Sequence, residues 1–167
     1  MLQNISSNAR QSRDSSRHRF AIIASTYNAE FVDAMVDRAL QELKRAGAKA
    51  EVIRVPGAYE IPVVAAALAE QGSWNAIICL GVILRGATTH AQHIGDAVTN
   101  ALTQIQLQHR LPVIHEVLLL ENVQQARERC LSQEHNRGAE AALTALEMAR
   151  IMSTLGAFGK SRPVRRK

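Results

Sequence analysis

At 167 residues the chain has room for one hydrophobic core rather than two, so a single domain is expected. Hydrophobic residues make up 47% and charged residues 21%, outside the disordered and membrane classes, and no apolar run reaches the about 18–20 residues that span a bilayer. The formal charge of +5 resides in the terminal run Lys160 to Lys167. Without its five basic residues, 15 basic face 15 acidic residues, which argues against a specific nucleic-acid footprint.

Residues 1–19 are polar, carry Arg10, Arg13, Arg17 and Arg19, and lack an apolar signal core, so they are expected to form a flexible N-terminal arm. Phe20 to Ser25 is a short apolar run without alternation, the pattern of a strand buried on both faces of a parallel sheet. Thr26 to Asn28 turns the chain. Asn28 is the expected N-cap of a helix whose apolar positions Val32, Met35 or Val36, Ala39 or Leu40, and Leu43 recur at helical spacing, and Gly47 ends it. Glu51 to Val55 reads as a second strand, less buried because Glu51 and Arg54 interrupt it. Pro56-Gly57 stops that strand and aims Ala58, Tyr59 and Glu60 over a site before Pro62 opens an alanine-rich helix ending at Gly72.

Ala76 to Leu80 is the third apolar run, and Gly81 to His90 is expected to turn from its end into a helix. Beyond His90, Ile94, Ala97 or Val98, Ala101 or Leu102, and Ile105 form an apolar side, with Asp96, Asn100 and Gln104 on the wetter one. Val113 to Leu120 is the fourth strand candidate, less uniformly apolar at His115 and Glu116. Glu121 to Cys130 reads as a charged helix, and Asn136-Arg137-Gly138 introduces a last helix with Ala142, Leu146, Ala149 and Met152 inward. Four strands alternating with helices predict an α/β layered domain over residues 20–156, followed by a basic tail over 157–167. So small a sheet leaves edges that need cover, which favours oligomerisation, with the helix over Val63 to Ala69 as one candidate surface. Cys79 falls in a strand pattern and Cys130 at the end of a charged helix, so no disulfide and a reducing, cytoplasmic setting are expected.

In parallel α/β sheets, sites form where loops converge at the carboxyl ends of the strands. Tyr27-Asn28, Pro56 to Glu60, Arg85 to His90, and His115-Glu116 are all placed there by this reading, which predicts one shared pocket. Gly86 to His90 sets a glycine, a small residue, two hydroxyls and an imidazole just ahead of a helix, a combination that can wrap an anion. It has neither a Walker ending nor a dinucleotide fingerprint, and Thr88 or Thr89 could instead serve as a helix cap. His90 leads as the proton-transfer residue, because imidazole exchanges protons near neutral pH. His93 raises a zinc reading that lacks a convincing third ligand. Arg129 or Arg127 could bring a planar donor fork to the same anion, or pair with Glu128 or Glu121. Tyr27 suits stacking on a flat heterocycle, and Glu60 suits accepting hydrogen bonds from a ligand or supporting the next helix.

The ordered series Val55 to Pro62, Gly81 to His90, Leu120 to Ala126, and Asn136 to Ala142 followed by Leu146-Glu147-Met148 resembles the lumazine synthase family over roughly Phe20 to Met152. The resemblance implies a flavodoxin-like three-layer sandwich around a four-stranded parallel sheet, assembled at least to a pentamer with sites between neighbouring subunits. It implies condensation of 5-amino-6-(D-ribitylamino)uracil with 3,4-dihydroxy-2-butanone 4-phosphate to give 6,7-dimethyl-8-ribityllumazine, phosphate and water, in riboflavin biosynthesis, with no cofactor or metal. By motif position, His90 matches the proton-transfer histidine, while Arg129, Ala87 and Thr88 match the phosphate site. Tyr27 matches the stacking aromatic, and Ala58, Tyr59 and Glu60 the segment touching the ribityl-bearing substrate. Val82, Ile83 and Leu84 match the contacts around its ring, and His115 a substrate-contacting position from the neighbouring subunit, like Arg129.

The chain departs from that pattern in three places: Ala91-Gln92-His93 replaces aromatic and acidic residues, His115 an apolar aromatic, and Arg137 a lysine. Leu131 to Gly138 lacks an additional glycine associated with shell formation, so a pentamer or paired pentamers is expected rather than a 60-subunit particle. Two other classes stay open on the residues: a family-derived scaffold or sensor with weakened catalysis, and a polyanion-binding module built on the basic tail.

Overall fold

In the computed structural model the described residues are 18–160, the last four by backbone alone. The expected arm and basic tail therefore lie outside the described residues except where they border the domain. There, Arg19 belongs to the first strand rather than to the arm, and His18 before it is buried.

Four strands make one parallel sheet: β1 (Arg19–Ser25), β2 (Lys49–Val55), β3 (Ala76–Leu84) and β4 (Val113–Leu120), in the order β2-β1-β3-β4. β1 and β3 are central, and their unalternated apolar runs are buried on both faces, as sequence predicts. β2 is an edge, which explains why Glu51 and Arg54 stand exposed on it. The helices α1 (Ala29–Arg45), α2 (Ile61–Gln71) and α3 (His90–His109) form the successive crossovers. After β4 come a single turn α4 (Val123–Ala126), a π-helical turn over Arg127–Leu131, and the long α5 (Arg137–Lys160).

The two faces of the sheet carry separate cores. Phe20, Ile22, Ile78 and Leu80 point to α1 and α5, whereas Ala21, Ile23, Ile77 and Cys79 point to α2 and α3. The result is the expected flavodoxin-like three-layer sandwich. Burying each such large side chain contributes about 1.5–3 kcal/mol relative to exposure, so with few aromatics the core depends on many aliphatic contacts. Cys79 and Cys130 are both free and buried. Among the described residues no helix is long and apolar enough to cross a membrane.

Four local expectations are corrected. Asn28 precedes α1 but does not cap it through its side chain: it adopts the left-handed conformation (φ 57°), and its amide donates instead to the Val82 carbonyl at 2.7 Å. β3 does not end at Leu80. It pairs with β4 from Ile77 through Leu84, so Gly81 lies within the strand, where a Cβ would come 3.2 Å from Val117 Cγ1 and 3.3 Å from Ile61 Cδ1. The charged helix starts at Val123, not Glu121, because Asn122 caps it by accepting from the Gln125 N–H at 3.0 Å, and it opens into the π-helical turn from Arg127. On α5, Ala142 and Ala149 are buried as predicted, but Leu146 and Met152 are only half-buried, because Ala141 and Ala145 take the inner face. Gly47 does end the first helical segment as expected, with φ 72° and its N–H donating to the Lys44 carbonyl at 3.0 Å.

Small residues let α5 approach α1 closely. At Gly138 a Cβ would sit 1.9 Å from the Met35 carbonyl oxygen, so only glycine fits where the first turn of α5 meets the α1 backbone.

Candidate active site

A cavity of about 970 Å³ opens where β1, β2 and β3 end and α3 begins. Tyr27 and Asn28 line it from the loop after β1, Gly57 to Glu60 from the turn after β2, Val82 to Leu84 from β3, and His90 from the first turn of α3. Three of the four predicted segments therefore meet in one place. Both tyrosines of the chain, Tyr27 and Tyr59, stand largely exposed at this cavity, at 73% and 63%, where a hydrophobic core would ordinarily claim them.

Hydrogen bonds explain why the loops converge. The Thr26 and Tyr27 amides donate to the Val55 and Pro56 carbonyls at 2.8 and 3.1 Å, tying the end of β1 to the end of β2. The Asn28 amide, bonded to the Val82 carbonyl, ties the same loop to β3. Gly57 leaves room for Glu60: a Cβ there would lie 2.7 Å from Glu60 Oε2. A short 3-10 turn over Ala58–Glu60 then presents Tyr59 outward while Ala58 stays buried, and Pro62 starts α2 where its missing N–H costs no helix bond.

The passage from β3 to α3 runs over Arg85 to Thr89 and is braced at its first residue. Arg85 Nε donates to Glu121 Oε1 at 2.9 Å and its Nη2 to Gln92 Oε1 at 3.1 Å, while Gln92 in turn donates to Asp96 Oδ1 at 2.8 Å. Gly86 and Thr88 line the cavity, whereas Ala87 between them does not. Thr89 occupies the cap position of α3 without a side-chain cap bond, and Thr88 Oγ1 accepts only a long 3.4 Å contact from the His90 N–H. The amide end of a twenty-residue helix thus faces the cavity with little internal satisfaction, the arrangement that favours an anion.

His115 and Glu116 do not belong to this cluster of strand ends. They sit in the first half of β4, opposite Cys79 and Leu80, because the β4 ladder continues four residues further to Leu120. His115 instead joins α3: its Nε2 lies 2.8 Å from Thr99 Oγ1, and the Val117 N–H donates to its Nδ1 at 3.2 Å. With Nδ1 accepting, the neutral ring carries its proton on Nε2 and donates to Thr99. Burial holds this imidazole below its ordinary pKa.

Arg129 also lies apart from the cavity. It projects from the exposed side of the π-helical turn, whose inner residue Cys130, with Ala126 just before the turn, is fixed in the α1–α5 core. The alternative of a surface pairing is not formed: Glu121 holds Arg85, Glu128 accepts from Gln124 Nε2 at 2.9 Å, and neither Arg127 nor Arg129 has an ion pair among the described residues. Arg137 lies nearby, with Nε 3.3 Å from Glu116 Oε2 and Nη1 2.5 Å from Glu140 Oε2. Burial pushes the Glu116 carboxyl above its ordinary value, while Arg137 and, more weakly, Arg129 pull it back. One β4 carboxylate therefore lies in the field of both guanidiniums.

The cavity also contains residues that linear reading left aside. The helical spacing assigns Ile94 and either Ala97 or Val98 to the apolar side of α3; Ile94 and Ala97 line the cavity together with His90, and of the pair Val98 alone is fully buried. Their spacing of four and three residues from His90 onward is the signal, since it continues the face on which His90 stands. His93 lines the same wall.

Sequence comparisons find relatives over most of the chain. A 6,7-dimethyl-8-ribityllumazine synthase of Xanthomonas oryzae pv. oryzae (strain PXO99A) is 44% identical over 140 residues, covering 82% of this chain and 91% of the relative. The enzyme of the same name from Xanthomonas axonopodis pv. citri (strain 306) shows the same identity and coverage, and that of Buchnera aphidicola subsp. Baizongia pistaciae is 42% identical over 143 residues, 83% of this chain and 90% of the relative. The family model for 6,7-dimethyl-8-ribityllumazine synthase matches residues 17–153, so the chain belongs to the lumazine synthase family.

Proposed function

We propose that this protein condenses 5-amino-6-(D-ribitylamino)uracil with 3,4-dihydroxy-2-butanone 4-phosphate, giving 6,7-dimethyl-8-ribityllumazine, phosphate and water. The observation that carries the reading is the convergence of Tyr27, Ala58 to Glu60, Val82 to Leu84, Thr88 and His90 on one cavity. Those positions are the ones that the family pattern assigns to the two substrates.

In this reading each residue has a task. Tyr27 covers the pyrimidine ring, Glu60 accepts hydrogen bonds from hydroxyl or ring donors, and the end of β3 offers backbone groups to the ring edge. Thr88 and the amide end of α3 receive the phosphate, which brings the ketone carbon two carbons along the same substrate toward His90. His90 passes the protons that accompany amine addition to the carbonyl, departure of phosphate and loss of water in ring closure. His115 and Arg129, which lie outside the cavity of their own protomer, reach a neighbour's cavity in a cytoplasmic pentamer or paired pentamers, so that Arg129 completes the phosphate site.

A steady-state assay with both substrates tests the reaction. Phosphate and a lumazine chromophore should appear in equal amounts above the spontaneous rate, and a rate equal to the spontaneous one overturns the proposal. Native mass measurement should give five or ten protomer masses; a monomer would remove the intersubunit role of Arg129.

A further inference from the structure

We infer that Asn136 is the positioning residue of the phosphate-binding arm, acting through the main chain beside Arg129. This inference rests on the reading that Arg129 binds the phosphate of the four-carbon substrate.

Asn136 is 2% exposed, unusually enclosed for an amide. Its two ends are used differently. Oδ1 accepts from the Gly138 N–H at 2.9 Å and, more distantly, from the Ala139 N–H at 3.4 Å, so it caps α5. Nδ2 donates to the Cys130 carbonyl, six residues back across the connection. That carbonyl belongs to the end of the π-helical turn, where a helix leaves its last carbonyls without partners, and Cys130 is fully buried. A single side chain thus closes both helix ends on each other.

Arg129 immediately precedes the carbonyl that Asn136 grips. Its neighbour Cys130 is anchored by its side chain in the α1–α5 core and by its carbonyl on Asn136, which leaves the intervening backbone little freedom to rotate. Arg137 immediately follows Asn136 and shares the Glu116 carboxylate with Arg129 through their combined charge. The π-helical turn by itself would be a weak platform, since its wide turn is a rare local form and it ends five residues after it starts. The amide supplies the fixed reference that Arg129 needs to aim a planar donor fork.

Asn136→Ser separates the two duties, because a serine hydroxyl can still cap α5 yet is too short to reach Cys130. In the assembled protein, KM for the phosphorylated substrate should rise about 5- to 10-fold, with kcat and the pyrimidine KM near those of the parent. Should this variant not fold, Asn136→Asp keeps the shape and the cap while losing the donor to Cys130, and the same split is expected. A purely structural role would lower thermal stability and leave the KM ratio unchanged, which overturns the inference.

Arg129→Ala, measured alongside, separates the two levels of argument. If it leaves the phosphorylated-substrate KM unchanged, the phosphate reading itself fails. If it raises that KM whereas the Asn136 variants do not, only the positioning role fails. In the double variant Arg129→Ala with Asn136→Ser, the second change should add no further increase in KM; an additive increase means that Asn136 acts independently of Arg129.

Discussion

The imidazole of His90 and that of His115 illustrate how differently one residue type is used within about one helix length. His90 is exposed on a cavity wall at the start of α3, free to meet a reacting group, while His115 is held by Thr99 and the Val117 N–H. His90→Ala should lower kcat by about 10- to 1,000-fold with smaller changes in KM, as expected for loss of proton transfer. Steady-state rates corrected for the spontaneous condensation check this, and an unchanged kcat removes His90 from the role. His115 also bears on stability. Its folded-state pKa is lowered by burial, so the unfolded chain binds the proton more readily. Its contribution is present above an unfolded value of about 6.5 and is lost as pH falls through the lower folded one. Thermal unfolding between pH 7 and pH 5 should therefore show a smaller loss of Tm for His115→Phe than for the parent; an equal loss would show that this ring does not govern the acid limb.

Among the elements, those with a strong local signature were legible from the chain alone. The unbroken apolar runs of β1 and β3, the interrupted one of β2 and the Pro-Gly stop after it all correspond to their places in the sheet. What was not legible depended on partners distant in sequence. Gly81 looked like the start of a turn, but pairing with Val117 on β4 carries the strand onward to Leu84. Asn28 looked like a cap, but the Val82 carbonyl, 54 residues away, takes its amide. The cavity lining was legible through His90 and the Ala58 to Glu60 turn, whereas Ile94 and Ala97 could be assigned to it only once the face of α3 was known. Asn136-Arg137-Gly138 correctly marked the start of α5, yet the need for Gly138 arises from the α1 backbone. Gly138→Ala forces Met35 and the first turn of α5 apart and should destabilise the fold by about 1–3 kcal/mol, measurable as a lower urea midpoint. An unchanged midpoint would mean that the two helices can separate at no cost.

At the level of the whole molecule, charge and assembly are separate matters. The excess of basic residues lies in the run Lys160 to Lys167, and the cavity-forming segments between Tyr27 and Ala97 do not include it. Deleting that run should leave turnover within about twofold of the parent, a change too small to represent a lost substrate contact. Loss of turnover with the assembled core intact would assign the tail a part in catalysis. The three-layer arrangement has a stronger consequence. Each protomer encloses its own cavity at the ends of β1, β2 and β3, but carries Arg129 on the α1–α5 side of the sheet. Under the proposed intersubunit site, catalytic competence obeys mass action: serial dilution should lower activity per protomer in step with dissociation, while each separated subunit keeps its folded pocket and its helical circular-dichroism signal. The enzyme would then fail by parting from its neighbours long before it fails by unfolding.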